Sequence, residues 1–503
     1  MKSYFLEKAA QNKPNIYERI IDSYEYGYPV GDNAKWFKYR FEVGTHPGNV
    51  KAGDSFCIDF GNHYVGYLSF KMNMVGRYPD APVKVRIKLA ETVYELARDF
   101  DSYTGLLAAS WLQEEVIHID EPGVIELPRR YAFRYVQVTV ETMGNGYSVD
   151  LTDFKIRAVT SADISKYQAV CADAELQKID EVGCHTLENC MQMVFEDGPK
   201  RDHRLWLGDL RLQALTAYYT FQSVDVAKRC MYLFAAYTEP GRHVPRDIFQ
   251  NSKDTYCDGG WLEDYALMFS VSLCDYYEYT GDEELVNDLF DIADEQIQIA
   301  LSNVKDGVVK ELDGWWAHID WCDGLQKVTS VQGTLLYTID KMIAMCLKTG
   351  RKEKVEEYTQ YADVLRKGAR EKLYDTHSGY FVNKYDGGQL SVHSQVWMIL
   401  GRVIEGEEAK RLIYRVLTDK EAKPACSPYM HHYVVEAFMM LGLKEEALTY
   451  IKDYWGEMVR CGADTYWEVF VPGDFSVTPY EDPVINSSCH AWSCTASYFL
   501  RQY

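Results

Sequence analysis

Hydrophobic and polar positions alternate with a period of two in the first third of the chain. The alternation is clear at residues 36–43, 83–89 and 136–140, where successive side chains change between apolar and polar. This pattern puts the apolar side chains on one face and predicts half-buried antiparallel strands. Turn-forming runs such as residues 45–49 separate the strands at the spacing of a β-sandwich. We therefore predict a β-sandwich domain over residues 35–165.

The segments on either side of this region have different patterns. Residues 1–34 are rich in tyrosine and show no clear period, so we assign them to a lead-in segment. From about residue 170 the period becomes that of a helix, because Leu176, Ile179 and Leu187 would share one helix face. The change of period predicts a second domain that begins near residue 166 and runs to residue 503.

Short polar turns of one type punctuate this second domain, at residues 221–225, 279–283, 348–352 and 441–445. Glycine ends a helix and acidic residues favour the start of the next one, so each turn is typical of a helical hairpin. The spacing fits about six helix pairs, which suggests a toroid of inner and outer helices. An irregular helical solenoid is the alternative, because periodicity does not separate the two.

Charge and composition exclude several classes of function. The chain has 75 acidic and 53 basic residues and a net charge of −22. Such a surface repels nucleic acid and anionic lipid, so we expect neither a nucleic-acid nor a membrane partner. No signal-peptide stretch and no Cys-x-x-Cys pair occurs, which favours free thiols in a cytoplasmic protein.

Motifs for acyl transfer, nucleotide binding and zinc hydrolysis are absent, since no G-x-S-x-G, Walker, G-x-G-x-x-G or H-E-x-x-H pattern occurs. His431 and His432 are adjacent and cannot share one helix face, so ordinary polar contacts are favoured over a metal site. We therefore expect no metal.

Acidic residues are concentrated in two segments instead. Residues 196–209 hold four acidic and three basic residues around the helix-breaking pair Gly198 and Pro199. This composition indicates a loop of binding groups at the rim of the helical domain, with a solvated salt-bridge cluster as the alternative. In residues 464–470, aromatic and apolar neighbours surround Glu468, which predicts a raised pKa for that carboxyl group.

Tryptophans stand beside acids in two further runs, residues 260–264 with Trp261 and residues 313–321 with Trp316. Aromatic rings stack on sugar rings while carboxylates accept sugar hydroxyls, although a single tryptophan is more typical of a core. Four such clusters favour a carbohydrate pocket. Two opposed carboxyl groups suffice for glycoside hydrolysis, and Asp202 and Glu468 are the best candidates.

Several segments together resemble the bacterial α-L-rhamnosidases of glycoside hydrolase family 78. Residues 197–209 are similar to the family's acidic signature, residues 466–468 to its Trp-Glu pair, and residues 488–492 to its late histidine segment. The strand region follows the order of the β-sandwich that precedes the family's barrel. The resemblance covers about residues 35–503.

The resemblance implies an antiparallel β-sandwich followed by an (α/α)6 barrel, and inverting hydrolysis of terminal α-L-rhamnosyl groups without a cofactor. The substrate would be a small glycoside or oligosaccharide. By position, Asp202 corresponds to the general acid and Glu468 to the general base. The residues expected to bind the sugar are Asp197, Arg201, His203, Trp206, Asp209, Trp261, Trp316, Trp467 and His490.

One departure leaves alternatives open. Many relatives have Arg-Asp-Glu where this chain has Arg201, Asp202 and His203, so the proton donor is either Asp202 or His203. A non-catalytic sugar-binding relative is one alternative function. Another is a barrel glycosidase or lyase with a different sugar, such as a uronate, which an acidic cleft disfavours. The sequence leaves a homo-oligomeric state open.

Overall fold

The structure, a computed structural model, describes residues 2–31, 38–77, 80–170, 173–250, 255–311, 316–385 and 387–502. In these ranges the N-terminal part of the chain forms ten strands and two helices. The helices are α1 (Lys2–Gln11) and α2 (Val93–Ala97). The strands are β1 (Tyr17–Asp22), β2 (Glu25–Val30), β3 (Arg40–Val43), β4 (Asn49–Val50), β5 (Ser55–Gly76), β6 (Val83–Ala90), β7 (Glu114–Ile119), β8 (Gly123–Glu126), β9 (Tyr131–Thr142) and β10 (Tyr147–Thr160).

All ten strands belong to one antiparallel sheet, whose main order is β1-β10-β5-β9-β6-β7. Strand β5 is 22 residues long and pairs with β2, β8, β9 and β10 along its length. The predicted strands at 83–89 and 136–140 are confirmed as parts of β6 and β9. Of the strand predicted at 36–43, residues 40–43 form β3, and residues 36 and 37 lie outside the described residues.

The tyrosine-rich N-terminal segment contains regular structure that its pattern did not indicate. Strand β1 pairs with β10, and β2 pairs with β5. Strand β1 lies at the edge of the sheet, where Tyr17 and Ile20 are exposed, so its apolar positions do not alternate with polar ones as in a half-buried strand. The predicted limit at residues 34 and 35 lies outside the described residues.

The rest of the described chain is helical. Its helices are α3 (Ala174–Cys190), α4 (Leu207–Thr220), α5 (Asp225–Tyr237), α6 (Glu263–Thr280), α7 (Glu283–Ser302), α8 (Val328–Lys348), α9 (Lys352–Lys372), α10 (Val392–Leu400), α11 (Gly406–Thr418), α12 (Pro428–Met440), α13 (Lys444–Arg460) and α14 (Ala496–Gln502). Short strand pairs lie between them: β11 (Arg204–Trp206), β12 (Asp247–Gln250), β13 (Thr255–Tyr256), β14 (Val304–Lys305), β15 (Val308–Val309), β16 (Tyr374–Asp375) and β17 (Tyr380–Phe381).

The four predicted turns are confirmed as the connections of α4 to α5, α6 to α7, α8 to α9 and α12 to α13. At the end of α6, Gly281 has φ of 69°, a left-handed conformation that glycine adopts without strain. None of the helices in the described ranges combines the length and the apolar character that crossing a bilayer requires. Each described cysteine is a free thiol.

The sheet and the helical domain share an apolar contact. Tyr94 and Leu112 of the sheet region pack in one cluster with Tyr480, Val484 and Ile485 of the segment between α13 and α14. An ion pair joins the two domains as well, because Arg98 Nη2 lies 3.1 Å from Asp482 Oδ2. The sheet therefore supports a long segment of the helical domain from one side.

Candidate active site

One cleft of about 710 Å³ contains most of the candidate residues. Its lining comes from the loops that precede α4, α6, α8 and α14 and from the first turns of α4 and α6. The lining residues are Asp197, Asp202, Trp206, Asp209, Leu262, Tyr265, Trp316, Ala317, His318, Asp320, Trp321, Lys327, Glu468, Tyr480, His490 and Trp492. The predicted pair Asp202 and Glu468 thus faces one space.

The loop before α4 is folded tightly on itself. Asp197 N donates to Arg204 O at 3.0 Å, and Arg204 N donates to Asp197 Oδ1 at 3.1 Å. Between these contacts, Asp202 and His203 both have positive φ, 71° and 52°. Consecutive left-handed residues are uncommon outside glycine and reverse the chain direction. The loop therefore projects Asp202 into the cleft.

Glu468 is buried in the cleft wall and is fully hydrogen-bonded. Its Oε2 contacts the Arg201 guanidinium and lies 3.4 Å from the donor Ser487 N. Its Oε1 accepts from the Tyr480 hydroxyl. Burial alone would raise the pKa of Glu468, but Arg201, His490 and Tyr480 together hold that pKa below its ordinary value. The predicted raised pKa is therefore wrong, because a buried cation lies beside this carboxyl group.

Three further carboxyl groups meet across the cleft from Glu468. Burial first, and then the charges of Asp202 and Asp209, raise the pKa of Asp197 well above its ordinary value. Burial also raises the pKa of Asp209, against the effect of His490, whose Nε2 lies 3.1 Å from Asp209 Oδ1. Burial therefore disfavours a negative charge on both Asp197 and Asp209, which holds these two carboxyl groups toward their protonated forms.

Arg201 lies behind the cleft surface rather than in its lining. Its guanidinium is buried, contacts Glu468, and stands 4.3 Å from the centre of the Tyr480 ring. Arg201 Nε donates to Ile485 O at 3.1 Å, and Nη1 lies 3.9 Å from Asp202 Oδ1. These contacts suit a residue that orients the two carboxyl groups. They leave it no contact with the cleft space.

Aromatic side chains form the walls of the cleft. Trp206, Tyr265, Trp321 and Trp492 line it, and Trp316, which is 53% exposed, stands at its mouth. Buried polar atoms without a protein partner occur in three lining residues, at Trp206 Nε1, His318 Nε2 and His490 Nδ1. Such atoms are rare in native structures and are satisfied by a ligand or water. The cleft therefore offers both rings and hydrogen-bonding atoms to a polar ring compound.

The loop before α8 is held in a strained conformation. Asp264, in the first turn of α6, accepts from His318 N and Ile319 N, each at 2.8 Å. Ile319 has φ of 55°, which is an outlier for a β-branched residue. Asp320 is fixed by His393 Nε2 at 2.7 Å and by Ser427. These contacts place His318 in the cleft.

Three other predicted residues lie outside the cleft lining. His203 packs edge-on against Trp111, and burial lowers its pKa to about 3, so its ring is neutral. Trp261 stacks on His243 with ring centres 4.3 Å apart. Trp467 packs edge-on against Phe470 and Phe475 and lines a separate crevice. Of the two candidate proton donors, Asp202 is the one that reaches the cleft.

Sequence reasoning missed several lining residues. His318, Asp320 and Trp321 belong to the acid-aromatic run from which only Trp316 was selected, and residues 313–315 of that run lie outside the described residues. Trp492 belongs to the family-like segment at residues 488–492, in which only His490 was expected to bind the sugar. Tyr265, Lys327 and Tyr480 carried no signal. Among the residues that the structure describes, no group of three or more His, Cys, Asp or Glu side chains is placed to hold a metal ion.

A sheet domain followed by helical hairpins, with opposed carboxyl groups in an aromatic cleft, defines a glycoside hydrolase. Family comparison gives the particular family. Residues 39–158 match the N-terminal domain of glycosyl hydrolase family 78 alpha-rhamnosidases, and residues 167–503 match the bacterial alpha-L-rhamnosidase six-hairpin glycosidase domain. The chain belongs to glycoside hydrolase family 78.

Solved structures agree with this assignment. A rhamnosidase from Klebsiella oxytoca with rhamnose bound is 37% identical to this chain and has a TM-score of 0.95. The match covers 100% of this chain and 98% of the Klebsiella oxytoca chain. A family 78 rhamnosidase of Bacillus sp. GL1 is 22% identical with a TM-score of 0.77, over 92% of this chain and 49% of that one. The Streptomyces avermitilis α-L-rhamnosidase complexed with L-rhamnose is 15% identical with a TM-score of 0.68, over 97% and 44%. The last two show the fold alone. No curated protein matches the chain.

Proposed function

We propose that the protein removes terminal α-L-rhamnosyl groups from small glycosides, with inversion at the anomeric carbon. The observation that carries this proposal is the pairing of an ionised, buried Glu468 with Asp202 across an aromatic cleft. The similarity to the Klebsiella oxytoca rhamnosidase, whose structure contains rhamnose, supports the choice of sugar.

Glu468 has the properties of a general base. Its lowered pKa keeps the carboxylate ionised through the neutral range, so it can accept a proton from a water molecule as that water attacks. Glu468 lines the cleft, so part of its carboxylate faces the cleft although Arg201 and Tyr480 also contact it. A water held by Glu468 would attack the anomeric carbon from the face opposite the leaving group.

Asp202 is proposed as the general acid. It is the most exposed member of its carboxyl group, with 19% of its side chain exposed, while Asp197 and Asp209 are buried. Of the three carboxyl groups, Asp202 is the one most open to the cleft, so it is placed to pass a proton to the glycosidic oxygen. The Arg201 guanidinium contacts Glu468, and its Nη1 lies 3.9 Å from Asp202 Oδ1, so one cation lies near both groups. Inversion would require the two carboxyl groups to be about 6.5–9.5 Å apart.

The sugar would be held by the unsatisfied polar atoms of the cleft. Trp206 Nε1, His318 Nε2 and His490 Nδ1 can bond to sugar hydroxyl groups, and Asp209 is oriented by His490. Leu262, Ala317 and the tryptophan faces offer apolar surface to the methyl group of a deoxy sugar.

The alternatives have less support. A non-catalytic relative was considered because His203 replaces an acid, but Asp202 reaches the cleft and supplies one. A uronate-specific enzyme is disfavoured because five carboxyl groups line the cleft, Asp197, Asp202, Asp209, Asp320 and Glu468, against one lysine, Lys327.

The architecture is also proposed in finer detail. Helix α4 packs on α6, α6 on α8, α8 on α10, α10 on α12, and α14 packs back on α4. Residues 491–493, just before α14, pack on both α12 and α4. This series of neighbours supports an (α/α)6 barrel with these helices as the inner ring, and β5, shared by four partners, supports a sandwich. Domain limits at residues 35–165 and 166–503 are supported by the family matches to 39–158 and 167–503. Free thiols support a cytoplasmic location.

Turnover of nitrophenyl α-L-rhamnoside by the wild type, Asp202→Asn and Glu468→Gln tests the function. We expect activity in the wild type and a loss of about 10²–10⁴-fold in each variant. Equal activity in all three would reject these roles. Proton NMR of the first product should show the β-anomer if the enzyme inverts, and the α-anomer would reject inversion.

A further inference from the structure

A buried group of charges joins the sheet domain to the helical domain behind Glu468. Glu91 follows β6, Glu95 lies in α2, and Lys200 belongs to the loop that carries Asp202; all three are buried. Lys200 Nζ lies 3.2 Å from Glu91 Oε2 and 3.3 Å from Glu95 Oε1. Burial would lower the pKa of Lys200, but the two glutamates hold it above its ordinary value. A positive charge therefore lies buried at the domain junction.

The same charges fix residues 485–488, the segment before α14. Lys200 Nζ donates to Asn486 O at 2.7 Å. Ser488 N donates to Glu91 Oε2 at 2.7 Å, and His63 Nε2 lies 3.2 Å from Glu91 Oε1. Two residues of this segment, 486 and 488, are thereby tied to Lys200 and Glu91.

Residues 485 and 487, which alternate with residues 486 and 488, contact Arg201 and Glu468. Arg201 Nε donates to Ile485 O at 3.1 Å. Ser487 and Glu468 exchange contacts, since Glu468 N donates to Ser487 O at 3.0 Å and Ser487 N lies 3.4 Å from Glu468 Oε2. A shift of this segment would therefore move both Arg201 and Glu468.

We propose that Glu91 and Glu95 of the sheet domain are positioning residues for Glu468, acting through Lys200 and residues 485–488. The proposal rests on the proposed role of Glu468 as the base. Neither glutamate lines the cleft, so each acts on the reaction through these intermediates alone. The catalytic centre of the helical domain is completed by the sheet domain.

Glu95 also has a route to solvent. It lines a narrow crevice with Lys200, Tyr94 and Trp467, and residues 486–488 line the same crevice. The charged groups that act on Glu95 are Lys200, Glu91 and Lys88. Burial raises the pKa of Glu95 to about 7, with Lys200 opposing the shift and Glu91 adding to it. Glu95 therefore gains its charge, and its full attraction to Lys200, as the pH rises through neutrality.

Glu91→Gln and Glu95→Gln keep the shape of each side chain and remove its charge. We expect kcat to fall by about 10- to 100-fold with a much smaller change in KM, because a misplaced catalytic group loses rate rather than ground-state binding. The acid limb of kcat/KM should move to higher pH as Arg201 loosens its contact with Glu468. An ionisation near pH 7 in the wild-type kcat profile should disappear in Glu95→Gln.

Glu141→Gln is the matched control. Glu141 is ion-paired with Arg86 and Lys84, and both of these pairs lie within the sheet. We expect Glu141→Gln to have the kcat of the wild type and the same pH profile of kcat/KM. Lys200→Met alone and combined with Glu91→Gln tests the connection, because residues of one network are not additive and the double variant should lose little more than Lys200→Met.

The outcomes separate the two proposals. The positioning role would be overturned if Glu91→Gln and Glu95→Gln kept the kcat of the wild type and the pH limbs of its kcat/KM profile. This holds even if both variants melt at a lower temperature. Absence of rhamnoside turnover in the wild type would overturn the proposed function and this role with it. If Glu91→Gln does not fold, Glu95→Gln and Lys200→Met carry the same test.

Discussion

Arg201 and Glu468 are in direct contact in the buried wall of the cleft, although 267 residues separate them along the chain. The pair makes the ionisation of Glu468 depend on a residue that does not touch the cleft space. Burial favours the neutral carboxyl group, and Arg201 reverses this preference. The pH range of the enzyme is therefore a property of the pair.

Replacement of Arg201 should move the acid limb of activity. In Arg201→Gln the effect of burial on Glu468 loses its largest opposing contribution, so the pKa of Glu468 rises and the proposed base is protonated over a wider range. We expect the acid limb of kcat/KM for an aryl rhamnoside to move up by about one pH unit or more. Arg130→Gln, which removes the ion pair with Glu196 outside the cleft, should leave the limb in place. Coincident limbs in wild type and Arg201→Gln would contradict this account.

Tyr480→Phe removes only the hydroxyl group that bonds to Glu468. Because this bond favours the charged carboxylate, its loss should raise the pKa of Glu468 by less than the loss of Arg201 does. We expect kcat to fall by about 10- to 150-fold, from a net contribution of ~1.5–3 kcal/mol for a hydrogen bond to a charged group. Tyr466→Phe is the control, since the Tyr466 hydroxyl donates to Ile179 O away from the cleft. A larger effect in Tyr466→Phe would argue against a specific role.

Trp316 at the mouth of the cleft should affect substrate affinity. Trp316→Ala removes an exposed ring that packs on no core, so folding should be unaffected while KM rises by about tenfold, from ~1.5 kcal/mol of lost ring contact. Trp261→Ala is the comparison, because Trp261 stacks on His243 outside the lining. Steady-state kinetics on both variants would decide, and an equal rise of KM in both would contradict the assignment of the cleft wall.

A second buried cation, Arg211, should control stability rather than activity. It bonds to Asp275 of α6, Glu436 of α12 and Tyr337 of α8. Arg211→Met leaves the two carboxylates buried without this partner, which should cost about 3–5 kcal/mol in urea unfolding at pH 7. Arg460→Met, which breaks an exposed pair with Glu175, should cost less than about 1 kcal/mol.

The same network predicts a pH dependence of stability. Burial would raise the pKa values of Asp275 and Glu436, but Arg211, Lys341 and His432 depress them in the folded state. A depressed carboxyl pKa contributes stability above the unfolded-state value near 4, and this contribution is lost as the pH falls. The difference between wild type and Arg211→Met should therefore shrink as the pH falls below about 4. A difference that stays constant there would show that Arg211 acts by packing alone.

The sequence predicted the local features of the fold and missed those that depend on distant contacts. The alternation at 83–89 and the glycine at 281 identified a strand and a turn because both signals are local. The edge strand β1 was missed, since its side chains are largely exposed and its place in the sheet depends on pairing with β10. Likewise, nothing in the sequence places Tyr480 in the cleft, because a loop of the sheet domain packs against it.

The candidate site was predicted in part for the same reason. Asp202 and Glu468 stand out locally, one after a Gly-Pro break and the other among aromatic residues. The resemblance to family 78 implies that Arg201 holds the sugar, but its guanidinium turns toward Ile485 and Glu468. The direction of the Glu468 pKa shift could not be read from neighbours in sequence, since Arg201 is the group that reverses it.

The first twenty-two residues attach the chain to both domains within one short stretch. Helix α1 packs on α5 of the helical domain, and Tyr4 in α1 donates to Asp288 of α7. Strand β1 then pairs with β10 of the sheet. Heat or force that separates the domains must therefore peel off either α1 or β1. Separation of the two domains would therefore break the contacts of α1 or β1 together with the contacts of Glu91, Glu95 and Lys200 at the junction behind Glu468.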